Sequence, residues 1–149
     1  MNKRRNLPVW SFGGEEPDPD MPALAAWAGR QKGAACDLLS CKVERSLHDQ
    51  AGLDRLAYGG MYYADRVRES LGGIQSGFLR EEPWINPESL RDDATRAAKF
   101  SRNVRAVLPS PLHLKIEDGI YFDREEYESA LCSTYNLLMR EIRDAGVYG

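Results

Sequence analysis

Apolar residues recur at steps of three and four along much of the chain, the spacing of one buried helix face. After Asp20-Met21-Pro22, where a capping carboxylate and a proline mark a helix start, Leu24, Trp27, Ala28, Gln31, Ala35 and Leu38 keep that step. Ala25, Gly29 and Gly33 lie four apart along one edge, where small residues admit a close neighbour or a bend. Val43, Leu47, Leu53 and Leu56 predict a second helix or a kinked extension of the first. Ala64, Val67, Leu71, Ile74 and Phe78 predict another, kinked or broken at Gly72-Gly73. Pro83 to Pro87 reads as a connector whose Asn86 caps a helix with Pro87 in its first turn and Ile85 stapled to Leu90. That helix is expected to run to about Leu108, before Pro109-Ser110-Pro111 forbids continuation.

The period then changes to two. Leu112, Leu114 and Ile116 alternate with His113, Lys115 and Glu117, and Asp118-Gly119 precedes Ile120-Tyr121-Phe122, which predicts a hairpin with a two-residue turn. A lone hairpin is marginal in water, so it must dock on helices or pair with a neighbour's strand. Asp123 with Glu126 opens a last helix, with Phe122 stapled to Tyr127. Tyr127, Leu131, Tyr135, Leu138 and Ile142 form its apolar stripe, and Gly146 is its stop. The expected fold is mainly α: a bundle of about four helices, one β-hairpin before the C-terminal helix, and an extended N-terminal arm over residues 1–21 leading into a helical domain over 22–149.

The arm carries neither period. Rich in Pro, Gly and charge, it cannot bury enough apolar surface to offset its own ordering entropy, so contacts with another subunit are the simplest means of holding it. Trp10 and Phe12, flanked by Pro8 and Gly13-Gly14, read as anchors for a pocket, with Leu7 and Val9 beside them. The competing possibility is that the arm folds back on its own bundle.

Composition narrows the function classes. With 149 residues, 42% hydrophobic and 29% charged, and a net charge of −3, the chain is of ordinary single-domain make-up, and any basic surface must be local. Cys36, Cys41 and Cys132 suit neither a disulfide framework nor a zinc site and read as buried free thiols in a reducing compartment. No apolar run is long enough to span a membrane, and Pro8 interrupts any signal-like start, so the expected location is the cytoplasm, or the virion if the chain is viral.

Catalytic patterns are sparse. Gly72-Gly73-Ile74-Gln75-Ser76-Gly77 lacks the lysine of a phosphate cradle, and Glu44 with His48 is one carboxylate over one imidazole in a chain of two histidines. The doublets Glu81-Glu82, Asp92-Asp93 and Glu125-Glu126 read as capping and solvated acids. Ser101 and Ser133 have no histidine nearby in sequence. No catalytic residue, metal ligand or cofactor is therefore assigned. The expected role is a non-enzymatic assembly subunit, of the kind found in viral head-to-tail connectors, binding copies of itself or other protein subunits through Leu7, Val9, Trp10, Phe12, Ile120 and Phe122. One alternative is a helical protein that meets nucleic acid through a basic stripe of Arg96, Lys99, Arg102 and Arg105, aided by Lys3-Arg4-Arg5. Another is a small enzyme with a non-local active site.

Overall fold

A computed structural model describes residues 16–31 and 36–148. Its order is α1 (Met21–Ala28), α2 (Leu38–Asp49), β1 (Ala57–Gly59), a 3-10 turn (Met61–Tyr63), α3 (Ala64–Glu69), β2 (Leu71–Gln75), β3 (Phe78–Ile85), α4 (Glu88–Ala98), β4 (Arg105–Val107), a second 3-10 turn (Pro111–His113), β5 (Glu117–Asp118) and α5 (Arg124–Asp144). The mainly α bundle is thereby overturned. Among the described residues the fold is α/β, with five helices and five strands in two sheets.

The chief reason lies in 71–85. Leu71, Ile74 and Phe78 keep helical spacing but belong to a β-hairpin: β2 and β3 run antiparallel, Gln75 opposite Phe78, around Ser76-Gly77. Both turn residues have positive φ, 50° and 83°, as a tight two-residue hairpin turn requires. Gly72-Gly73 is accordingly no helix kink but the site where the register slips between Gly72 and Ile74. The expected connector from Pro83 is the end of β3, and Pro87 rather than Asn86 stands at the start of α4, with no side chain capping it.

Two further expectations fail for want of a local partner. The helix expected to reach Leu108 stops at Ala98, because residues 105–107 pair parallel with β1, some fifty residues earlier, from Ala57↔Arg105 to Gly59↔Val107. A Cβ on Gly59 would stand 2.3 Å from the Val107 carbonyl oxygen, so glycine is required for that approach. The hairpin expected over 112–122 is absent as well: Pro111–His113 is a 3-10 turn, and β5 pairs parallel with β3 through Phe78↔Glu117 and Leu79↔Asp118. At the other end, the first expected helix ends at Gly29, and a new one starts after Asp37, whose carboxylate caps it through the Ser40 N–H at 2.9 Å.

The last helix forms as the pattern predicts. Asp123 accepts from the Glu126 N–H at 3.0 Å, and Leu131, Tyr135, Leu138 and Ile142 turn inward. They close one core with Val43 and Leu47 of α2, Val67 of α3, Leu79 of β3, and Leu90 and Ala94 of α4. Each such aliphatic side chain contributes about 1.5–3 kcal/mol by leaving water. Phe122 does not staple to this helix, since its ring stands in solvent.

Candidate partner-binding surface

The corner between β5 and α5 is built by one carboxylate. Strand pairing fixes Asp118 beside Leu79. Its two oxygens then accept the backbone N–H groups of Ile120 at 3.0 Å, Tyr121 at 2.9 Å and Phe122 at 2.7 Å. Gly119 permits the bend, because a Cβ there would stand 2.5 Å from the Leu79 carbonyl oxygen. Desolvation works against the ionised form of Asp118, but the N–H groups of Tyr121, Ile120 and Phe122 outweigh it and hold the carboxyl below its ordinary value. The brace therefore persists above the ordinary aspartate range and is released only as pH falls through that lowered value.

The brace has a conformational consequence. Phe122 is held at φ +54°, the left-handed region that costs a residue with a Cβ about 1–2 kcal/mol, and its ring is 87% exposed. Ile120, assigned with it from sequence, packs instead against the core. Tyr121 lies between them; burial first, then the negative charges of Glu82, Asp118 and Glu126, push its hydroxyl up. Asp123 and Glu125 follow Phe122 in the chain and are exposed as well. Of the nearby cations, Arg80 stacks on Phe78 at 4.9 Å and Arg124 pairs with Glu128 at 2.7 Å. On the outer sheet face, Trp84 covers Gly72, where a Cβ would meet its ring at 2.1 Å, and remains 53% exposed.

The other candidate residues are dispersed. Leu7, Val9, Trp10 and Phe12 lie outside the described residues. Arg96 is turned inward, with its guanidinium 5.2 Å from the Trp27 ring centre, donating to Gln31 at 2.5 Å and facing Glu44 at 3.4 Å. Lys99 caps the end of α4, Arg102 lies in the turn that follows, and Arg105 is on β4, so the four do not form one helical stripe. Glu44 and His48 form a surface pair at 4.0 Å. Among the described residues no group of three or more His, Cys, Asp or Glu side chains is placed to hold a metal ion. No described helix is long and apolar enough to cross a membrane. Of the cysteines, Cys41 is buried, Cys132 half-buried and Cys36 exposed, which corrects the expectation of three buried thiols.

Asp93 departs most from its sequence reading as a solvated acid. Fully buried, it accepts from Ser40 Oγ at 2.6 Å, Tyr63 OH at 2.9 Å and Arg66 Nε at 2.9 Å. Burial pushes its carboxyl up against the opposing pull of Arg66, Ser40 and Tyr63. Arg66, itself buried, also donates from Nη2 to Asp37 at 2.6 Å. This cluster ties α2, the first 3-10 turn, α3 and α4 together.

No protein-family model, no curated protein and no solved structure matches this chain.

Proposed function

We propose that the chain is a non-enzymatic assembly subunit that associates with further copies of itself, acting in the cytoplasm or, for a viral chain, in the virion. The observation that carries the reading is Phe122, an aromatic side chain braced outward in a strained backbone conformation. Strain persists only where surrounding structure enforces it, and an exposed aromatic has little cause to be enforced except for contact with something else. Trp10 and Phe12 of the N-terminal segment are proposed as further anchors in the same assembly. The nucleic-acid alternative gains nothing from the positions of Arg96, Lys99, Arg102 and Arg105.

Light scattering of the full chain over a concentration series tests the reading. The mass is expected to rise with concentration toward a defined multiple of the monomer. A strict monomer up to about 1 mM, where even a contact of about 4 kcal/mol is half occupied, would contradict it.

A further inference from the structure

The distal half of α5 carries an apolar groove that matches Phe122 in chemistry. Tyr135, Met139 and Ile142 share one face of the helix and look across at Ala106, Leu108 and Pro109, enclosing about 320 Å³. The groove is fixed in shape, since the Tyr135 hydroxyl donates to the Pro109 carbonyl, and its mouth is open at Met139, 44% exposed. Beyond Met139 a second hollow of about 380 Å³ is bordered by Arg140, Arg143 and Tyr148. Arg143 shares its charge with Asp144 at 3.1 Å, while Arg140 is exposed.

Groove and ring cannot meet within one molecule. Phe122 lies just before the first residue of α5, and Met139 is fifteen residues along it, which on a rigid helix is about 22 Å. The two features are complementary in charge as well as in polarity. Exposed Asp123, Glu125 and Glu126 follow Phe122 in the chain, and Glu82 and Glu126 act on the neighbouring Tyr121, whereas Arg140 and Arg143 border the hollow that shares Met139 with the groove.

Resting on the assembly reading above, we propose that Phe122 of one copy seats in the Tyr135–Met139–Ile142 groove of the next. The contact joins two different patches, so it is head-to-tail, and repetition gives a ring if the rotation closes or a filament if it does not. Burial of the ring supplies most of the affinity, whereas the acidic and basic rims set orientation and association rate.

The test uses two full-length variants at exposed positions, Phe122→Asp and Met139→Glu, with circular dichroism and melting curves to verify folding. Each alone is expected to weaken self-association at least about thirtyfold, the effect of losing an interface anchor. Mixed in equal amounts they should form a one-to-one heterodimer, because one intact ring and one intact groove remain between them. Arg140→Glu, on the solvent face of α5, should weaken association several-fold at low salt and less at high salt, and it does not depend on core packing.

If wild type is a strict monomer, both the assembly reading and this contact fail. If wild type associates but Phe122→Asp and Met139→Glu associate equally well, or their mixture stays monomeric, the contact is overturned while the assembly reading stands. Association lost in a Trp10→Ala, Phe12→Ala double variant but retained in Phe122→Asp would give the groove to the N-terminal segment and likewise overturn it.

Discussion

Asp93→Ala is expected to lower the stability of the fold by about 3–5 kcal/mol, the usual consequence of removing one partner from a buried ion pair. The carboxylate is fully buried and satisfies three donors from three different elements: Ser40 of α2, Tyr63 of the first 3-10 turn and Arg66 of α3. Without it two hydroxyls lose their acceptor inside the core, and the Arg66 guanidinium keeps Asp37 and Glu69, toward the surface, and the Ser40 hydroxyl. Such a loss is a large share of the roughly 5–15 kcal/mol that holds a typical domain together. In a chain of this length it should lower the melting temperature on the order of 10 °C. Tyr63→Phe removes one hydrogen bond and leaves the pair intact, so its cost should be nearer 1 kcal/mol. Urea unfolding of the two variants checks the order; a loss below about 1 kcal/mol for Asp93→Ala would show that the cluster relaxes or hydrates without penalty.

Phe122→Gly is expected to act in opposite directions on stability and on assembly. Glycine takes φ +54° without a Cβ clash, so the folded chain should gain roughly 0.5–1 kcal/mol once glycine's greater freedom in the unfolded chain is subtracted. Association, by contrast, should fall at least about thirtyfold, because the variant lacks the ring. Melting curves at low concentration and light scattering at high concentration read the two effects separately. A variant that is less stable than wild type would mean that the ring packs on its own molecule. A variant that associates undiminished would remove Phe122 from the interface.

The parts of this fold that were legible in sequence are those decided within one helix. The α5 stripe, its Asp123 cap and the glycine after its end are local, and all three are present. Strand pairing is not local. Nothing near Arg105–Val107 announces a partner at Ala57–Gly59, so the preceding helical spacing was carried on through 105–107. Ala64 and Val67 do lie on a helix, α3, but over 71–78 the spacing misleads, since Leu71, Ile74 and Phe78 satisfy a helical step while lying on two strands, and the better signal is the turn-forming Ser76-Gly77 pair. Asp93 is obscured by its half-buried neighbour Asp92, with which it reads as an acidic doublet. Counted from Leu90, however, it falls with Ala94 and Ala97 on the inward face of α4, and a charged residue on that face signals a buried partner. Phe122 was singled out as a hairpin residue; what places it outward is the Asp118 brace, a loop device that alternation cannot show.

The most direct measurement is oxidative labelling of Phe122 in dilute and in associated wild-type chain, with Leu112, exposed on another element, as the internal reference. The ring is expected to label freely in the monomer and to be protected on association, with labelling of Leu112 unchanged. Equal labelling of Phe122 in the two states would contradict its role as the anchor between subunits.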